Sequence, residues 1–301
     1  MRLLHTTDLV LKEFFDNAIP RYAILSHRWE EEEVNLQDFV AIRNMTKPDA
    51  GYRKILRCCK YAASCGCDWA WIDTCCIDKT SSAELSEAIN SMYRWYRRAT
   101  VCFVYLSDRD QLKASRWFSR GWTLQELLAP TGPVLLLDRD WRGISTKRRM
   151  SDLLADITQV PASLLKGTTD LAEFSVAQKM SWAARRRTSR IEDAAYCLLG
   201  IFGVNMPLLY GEGWKAFARL QEEILRVSED RSIILWHEET ELADRYGLCT
   251  GLLAPSPACF ERCGLQGIED DFTGTRPYRL TNQGLERLNT LAKSTWIPAA
   301  N

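Results

Sequence analysis

The feature that most constrains the fold is a regular alternation of two patterns across the first half of the chain. Short apolar runs, each followed by polar residues, occupy residues 22–25, 68–73, 100–106 and 132–137. Segments with helical spacing of apolar residues lie between them, the clearest at residues 52–64 and 85–96. Strands that alternate with helices are typical of a parallel sheet. The pattern therefore predicts an α/β fold, a flavodoxin-like parallel sheet flanked by helices.

After residue 145 the alternation stops and helical patterns follow one another. They cover residues 148–157, 175–186 and 211–227. Ser189 and Glu192 have the residue types and the spacing of a capping box, which predicts that a further helix begins there. We therefore expect a helical segment after the sheet.

The last part of the chain has a third character. A strand pattern covers residues 231–236, and Gly and Pro then recur in the manner of a β-rich module. The pattern stops at residue 301 before it is complete, which indicates a chain that is truncated or naturally short there. The predicted organisation is an α/β domain at 1–145, a helical segment at 146–230 and a β-rich segment at 231–301.

Charge and cysteine content argue against several classes of protein. Lys plus Arg and Asp plus Glu each number 39, so no net charge attracts nucleic acid or an anionic membrane. No secretory signal and no apolar run of membrane-spanning length are visible, which predicts a cytoplasmic protein without a membrane partner. The eleven cysteines include no Cys-X-X-Cys pair, and only three histidines accompany them. We therefore expect reduced, mostly buried thiols and no bound metal.

Polar and aromatic side chains follow the first two predicted strands. Ser26, Arg28 and Trp29 come directly after the first strand, and Asp73 ends the second. The carboxyl ends of parallel strands lie at one edge of a sheet, where ligands usually bind. We therefore interpret these residues as lining a ligand site. Two alternatives stay open: Arg28 forms an ion pair with Glu126 or Asp73, and Asp73 caps the end of its strand.

A helix predicted from Ser119 to Pro130 supplies the central residues of this hypothesis. Trp122 and Glu126 are four positions apart and therefore lie on one face of the helix, one turn from each other. An indole ring beside a carboxylate suits a ligand in which a flat ring is joined to a sugar. The alternative is an amphipathic helix with Trp122 in the core and Glu126 in water.

The sequence lacks other common catalytic motifs. It contains neither of the glycine-rich phosphate-binding loops, so Rossmann and P-loop modes of nucleotide binding are not supported. His27 has no serine or cysteine partner at a recognisable nucleophile elbow, which argues against a hydrolase triad.

Three blocks of sequence resemble the signature of one family. They are residues 22–29 (YAILSHRW), 69–78 (WAWIDTCCID) and 120–126 (RGWTLQE). Their order and separation resemble those of the fungal heterokaryon-incompatibility (HET) domain. Residues 182–193 and 196–213 are similar to the helical segment that often follows this domain. The resemblance implies an effector role in self/non-self recognition or programmed cell death, a form of fungal innate immunity.

The HET domain is in turn similar in layout to Toll/interleukin-1 receptor (TIR) domains. In these, the first strand ends in a Ser/Arg-rich loop and a later helix carries the functional glutamate. TIR domains of the enzymatic kind cleave the nicotinamide–ribose bond of NAD. The resemblance implies that Glu126 is the catalytic carboxylate and that Trp122, one turn before it, stacks on nicotinamide.

The other candidate site residues follow from the same comparison. Ser26, Arg28 and Trp29 would reach the crevice from the first strand, and Asp73 would reach it from the second. Arg28 would accept a phosphate. Trp29 or Trp71 would stack on a base.

We therefore predict a TIR-like NAD glycohydrolase that acts as a cell-death effector, with NAD as the substrate and no cofactor. The alternative is a non-enzymatic HET signalling module that acts through oligomerisation or partner binding. Self-association and an upstream recognition protein are expected partners. The choice among NAD, NADP and other nucleotides stays open.

Overall fold

The computed structural model describes most of the chain, in two compact units. The described residues are 1–15, 18–42, 49–108, 112–237 and 252–264, with the backbone of 278–281 and 284–287. The units comprise residues Met1–Thr169 and Asp170–Asn301. The predicted domain boundaries at residues 145 and 230 stay predictions.

The first unit is built on one seven-stranded sheet. Its strands are β1 (Arg2–His5), β2 (Leu11–Glu13), β3 (Tyr22–His27), β4 (Trp69–Trp71), β5 (Val101–Leu106), β6 (Val134–Asp138) and β7 (Gly143–Thr146). They lie in the order β2-β1-β4-β3-β5-β6-β7. The central strands β4, β3, β5 and β6 are parallel, and the others pair antiparallel at the two edges. The predicted α/β fold with a parallel sheet is confirmed at its centre, and the antiparallel edge strands are an addition to it.

The parallel strands form because their side chains are apolar on both faces. Every residue of β3 is buried, as is every residue of β5 except Tyr105. Strands with this pattern need helices against the sheet. The helices of the first unit are α1 (Leu36–Ile42), α2 (Ala50–Ser64), α3 (Asp73–Cys76), α4 (Ser82–Arg98), α5 (Thr123–Leu128), α6 (Ser151–Thr158) and α7 (Ala162–Lys166). Of these, α2 contacts β3 and β4, and α5 contacts β3.

The helix that carries Glu126 is shorter than predicted. The sequence suggested residues 119–130, but α5 covers only Thr123–Leu128. The reason is the Thr123 hydroxyl, which donates to the backbone carbonyls of Trp117 and Arg120 at 2.5 and 2.9 Å and so stabilises turns ahead of the helix. Trp122 therefore occupies the N-cap position, and the helix proper carries Glu126 in its first turn.

The second unit is helical over residues 170–237. It contains α8 (Val176–Ala184), α9 (Asp193–Tyr196), α10 (Leu199–Phe202) and α11 (Lys215–Val227), with short 3-10 helices at Leu171–Glu173, Arg231–Ile234 and Pro257–Gly264. Ser175 and Gln178 form a capping box at the start of α8, which packs against the last of these 3-10 helices. The helices predicted at residues 175–186 and 211–227 are thus present, with shorter bounds.

The capping box predicted at Ser189 and Glu192 is wrong. Oε1 of Glu192 instead accepts the backbone N–H groups of Gly211 and Gly213, at 2.8 and 3.0 Å. Both glycines have positive φ angles, which place their N–H groups around the one carboxylate oxygen. The helix that follows begins only at Asp193.

The strand predicted at residues 231–236 is also wrong, because residues 231–234 form a 3-10 helix. Asp230 accepts the backbone N–H of Ser232 at 2.8 Å and so begins a helical turn. Of the described residues beyond this point, β8 (Tyr278–Thr281) and β9 (Gly284–Arg287) form an antiparallel hairpin. None of the helices within the described ranges is long and apolar enough to span a lipid bilayer.

Candidate functional site

The candidate site lies at the carboxyl edge of the four parallel strands. Numbered along the chain, these strands lie across the sheet in the order second, first, third, fourth. The order reverses between β3 and β5, and the crevice at such a reversal is where open α/β sheets usually bind ligands. The residues at the end of β3 therefore occupy the position from which a ligand is most easily reached.

Glu126 and Ser26 form a buried hydrogen-bonded pair in this crevice. The Ser26 hydroxyl donates to Oε2 of Glu126, which joins the end of β3 to the first turn of α5. The indole N–H of Trp117 donates to Oγ of Ser26 at 2.9 Å. Only 7% of Glu126 is exposed and Ser26 is fully buried, so solvent hardly reaches the carboxyl group. The alternative that places Glu126 in water is wrong.

The surroundings of Glu126 favour its protonated form. Burial raises the pKa of Glu126 to about 8, and the negative charge of Asp73 acts in the same direction. The hydroxyls of Ser26 and Tyr96 and the charge of Arg120 lower this pKa without cancelling the effect of burial. A carboxyl group that changes charge near neutral pH is a common property of catalytic acids and bases.

Asp73 has the opposite electrostatic character. Its Oδ1 lies 2.8 Å from Nε2 of His27, and its Oδ2 accepts the indole N–H of Trp29 at 2.7 Å. Burial opposes ionisation, but His27, Lys79 and Trp29 together hold the pKa of Asp73 well below its usual range. Its carboxylate therefore binds His27 at the end of β3 and Trp29 in the loop that follows β3. It does not act as the strand-end cap considered above. The site thus contains two carboxyl groups whose pKa values are displaced in opposite directions, and the charge of Asp73 influences Glu126.

A second polar network lies on the other side of β3. Ser26 and His27 are consecutive residues of one strand, so their side chains point to opposite faces of the sheet. His27 Nδ1 lies 3.7 Å from Oε1 of Glu33, which is paired with Lys54 of α2. This network and the Ser26–Glu126 pair meet at the carboxyl edge of the sheet.

A cavity of about 530 Å³ opens beside the end of β3. Arg28, Trp29, Lys54 and Arg116 line it, together with the acidic run Glu30–Glu32. Trp29 is 41% exposed, yet its N–H is held by Asp73 and its ring lies 3.4 Å below the Lys79 ammonium group. Among the described residues Arg28 pairs with neither Glu126 nor Asp73, in contrast to the ion pairs considered above.

A second cavity of about 420 Å³ lies at the ends of β5 and β6. Asp108, Ser115 and Asp138 are among its lining residues. Ser115 borders this cavity, Arg116 borders the first one, and Trp117 contacts Ser26 between them. Three consecutive residues therefore border the second cavity, the first cavity and the Ser26–Glu126 pair in turn.

Two other candidate residues have different surroundings. Trp71 is fully buried in the core, where its ring packs edge-on against Trp95 and Tyr96 at centroid distances of 5.6 and 5.8 Å. It offers no free face on which a base could stack, so the expectation that Trp71 binds ligand does not fit this structure. Trp122 is half-buried at the start of α5, and its contact with nicotinamide stays a prediction.

The structure adds two residues that sequence reasoning missed. Trp117 begins the stretch that carries Trp122 and Glu126, but nothing in its spacing indicated a contact with Ser26. Tyr96, taken only as part of the apolar face of α4, influences the pKa of Glu126, and its hydroxyl donates to the Leu25 carbonyl oxygen at 2.9 Å.

The cysteines and histidines show no metal centre within the described part of the chain, where no group of three or more potential ligands comes together. The described cysteines are all free thiols, and every one except Cys65 is buried. Burial raises the pKa of several of these thiols, for example Cys59 to about 12, which keeps them protonated.

Comparison with known proteins identifies the family to which this chain is related. Residues 22–115 match the family described as heterokaryon incompatibility protein (HET). The chain is 44% identical over 245 residues to the vegetative incompatibility protein HET-E-1 of Podospora anserina. The chain contains a HET domain. This identity confirms the family that the three sequence blocks indicated.

The HET match includes Ser26, His27 and Asp73, whereas Glu126 lies eleven residues beyond its last residue, 115. The alignment with HET-E-1 covers 74% of this chain but 18% of that relative, so the chain spans less than a fifth of its length. No solved structure matches the chain.

Proposed function

We propose that this HET domain cleaves the nicotinamide–ribose bond of NAD, with Glu126 as the catalytic carboxylate, and that the cleavage drives an incompatibility or cell-death response. The observation that carries the proposal is the buried Glu126, held by Ser26 where the strand order reverses. The incompatibility role is extended from the name of the Podospora relative. The TIR-like chemistry extends the resemblance noted in the sequence, in which a glutamate on a later helix has this role.

The proposed reaction needs one negative charge near the anomeric carbon. When the bond between nicotinamide and C1′ breaks, its electron pair neutralises the pyridinium nitrogen, so nicotinamide leaves without needing a proton. The ribose then resembles an oxocarbenium ion, which a carboxylate beside C1′ stabilises. Water adds to C1′ and releases one proton, for which Glu126 is the acceptor. NAD and water thus give nicotinamide, ADP-ribose and a proton.

The neighbouring residues suit the rest of a dinucleotide. Arg28 and Arg116 supply positive charge for the pyrophosphate in the larger cavity, whose lining also includes the acidic run Glu30–Glu32. Trp29 offers an exposed indole whose orientation is fixed by Asp73, which lowers the entropy lost on stacking with a base. Because Glu126 is nearly fully buried, substrate must displace a covering group, and self-association is the event we expect to do so.

The direct test is the release of nicotinamide from NAD by the purified chain. The assay should extend to high protein concentration, where self-association is favoured. Release that scales with protein supports the proposal. Absence of release over the whole range overturns it and favours the interaction module described below.

The proposed activity should depend on pH in a specific way. We expect kcat/KM to rise with pH through a midpoint near 8, because the carboxylate form of Glu126 is the active one and kcat/KM reports the free enzyme. The midpoint of kcat should lie lower, because the positive nicotinamide ring favours the carboxylate in the complex. A kcat/KM midpoint near the ordinary pKa of glutamate would show that the active carboxylate is not the buried Glu126 described here.

Ligand binding should protect the fold from heat. With turnover blocked by Glu126→Gln, NAD at about 100 times its Kd should raise Tm by roughly 5 to 10 °C. Inorganic pyrophosphate is the matched control, since it can occupy only a phosphate subsite. Equal shifts with both ligands would show that the nicotinamide and base subsites contribute nothing.

The second candidate function is a non-enzymatic signalling module. Phe15 and Val40 are 69% and 65% exposed, and Phe belongs to the aromatic residues that are enriched at protein interfaces. Concentration-dependent assembly without any effect of nucleotide would favour this function. The two functions are compatible, because assembly can also complete a catalytic site.

A further inference from the structure

Trp117 controls the direction of the hydrogen bond between Ser26 and Glu126. An indole N–H can only donate, so the 2.9 Å bond from Trp117 makes Oγ of Ser26 an acceptor on that side. The single hydroxyl proton of Ser26 is then directed to Oε2 of Glu126, the acceptor that the described structure provides. If Glu126 donated to Ser26 instead, a fully buried hydroxyl proton would be left unpaired, which is costly.

This direction affects the charge of Glu126. A hydroxyl that donates to a carboxyl oxygen stabilises the ionised form more than the protonated form. Without the indole N–H, the Ser26 hydroxyl is free to turn and to accept a proton from neutral Glu126. Trp117 therefore favours ionisation of Glu126 although its indole N–H donates to Ser26 and not to the carboxyl group.

We infer that Trp117 is a positioning residue: its indole N–H orients the Ser26 hydroxyl toward Glu126 and thereby sets the fraction of Glu126 that is ionised near neutral pH. The catalytic consequence rests on the proposed function, whereas the effect on ionisation does not.

The other groups that face Glu126 are independent of this contact. Tyr96 approaches from α4, Cys102 from β5, Asp73 from α3 and Arg120 from the turn before α5. Burial has the largest influence on the pKa of Glu126, and the Ser26 hydrogen bond is the largest that opposes it. Removal of the Trp117 indole N–H therefore weakens the Ser26 hydrogen bond, which is the strongest interaction that favours the carboxylate form of Glu126.

The test is Trp117→Phe, which keeps an aromatic ring and removes the N–H. The pH midpoint of kcat/KM should move upward by about 0.5 to 1 unit, so that kcat/KM at pH 7 falls roughly three- to ten-fold. At pH values above both midpoints the variant should recover nearly to the wild-type rate. Recovery distinguishes lost positioning from general damage, which lowers the rate at every pH.

The matched control is Trp95→Phe. Trp95 is a buried tryptophan on α4 whose indole N–H makes no hydrogen bond to the described residues. This variant should keep the wild-type midpoint. An equal shift in both variants would mean that ring size, and not the N–H, sets the midpoint.

A double-mutant cycle tests the route through Ser26. Ser26→Ala should raise the midpoint at least as much as Trp117→Phe, and the double variant should match Ser26→Ala alone, because both changes remove one interaction. Additive shifts would overturn the inference. Ser26→Ala also keeps the test valid if Trp117→Phe does not fold.

A measurement without substrate separates this inference from the proposed function. The infrared carbonyl band of the protonated Glu126 carboxyl group, assigned by its loss in Glu126→Gln, should titrate at higher pH in Trp117→Phe than in the wild type. If the band titrates at higher pH in Trp117→Phe but no protein releases nicotinamide, the proposed function is wrong and the inference about Trp117 stands. An unshifted band would overturn the inference whatever the enzyme assay shows.

Discussion

Glu126→Gln is expected to abolish nicotinamide release and to leave the fold intact. Gln has nearly the same shape and can accept the Ser26 hydrogen bond, but it cannot carry the negative charge that stabilises the ribose cation. We expect kcat to fall on the order of 10³-fold. The measurement is nicotinamide release from NAD, with circular dichroism to establish the fold.

The same variant should be at least as stable as the wild type at pH 8. The pKa of Glu126 is about 8 in the folded protein, above its ordinary value. Between these values the folded state holds a proton that the unfolded chain releases, so the wild type loses stability as pH rises. Gln has no proton to lose and avoids this loss. Reduced activity together with unchanged or higher Tm would identify Glu126 as a functional residue and not a structural one.

Glu87→Gln is the matched control, because Glu87 is an exposed residue of α4 in the same domain. It should have wild-type activity and stability. Equal nicotinamide release by Glu126→Gln and the wild type would support NAD cleavage by this protein but would show that Glu126 is not the catalytic carboxylate. No release by either protein, at concentrations where it assembles, would shift the conclusion to the interaction module.

Trp71→Ala is expected to give the largest loss of stability, about 3 to 5 kcal/mol in the free energy of unfolding. Trp71 is fully buried and packs against two aromatic rings, so its removal leaves a large apolar cavity. A loss of this size is a large part of the stability of an ordinary domain. Urea or guanidinium titration measures it.

Trp71→Phe should cost much less than the change to Ala. The buried indole N–H of Trp71 has no hydrogen-bond partner among the described residues, so Phe removes an unsatisfied donor while it keeps most of the ring. KM for NAD should be unchanged in this variant. A raised KM with normal stability would return Trp71 to the ligand site that the sequence suggested.

The centre of the fold was predictable because its elements repeat one strong local signal. The parallel strands are apolar at successive positions, and α2 and α4 have buried stripes at helical spacing. The edge strands β1, β2 and β7 are short and partly exposed, so their sequences have little to distinguish them from loops. Their strand form depends on neighbours that are distant in sequence.

The candidate site was predictable only in part, for a related reason. Ser26, Asp73 and Glu126 could be placed from strand ends and from family resemblance. The contact of Trp117 with Ser26 spans 91 positions of the chain, and no local pattern encodes it. The burial of Trp71 was missed because a buried tryptophan in a strand and a ligand-stacking one look alike in sequence.

Ser26 and His27 point to opposite faces of the sheet, and each has its own carboxylate partner. The register of β3 against its neighbours therefore determines which side chain meets which carboxylate. If β3 slipped by one residue against β4 and β5, the backbone ladder would be restored, but every side chain would change faces. A slip in one direction would bring the His27 imidazole to Glu126 and put Arg28 in the place of His27, whereas a slip in the other direction would bring Leu25 to Glu126 and the Ser26 hydroxyl to Asp73. A single inserted or deleted residue within this strand would therefore disable both networks at once, although a sheet of the same outline could still form.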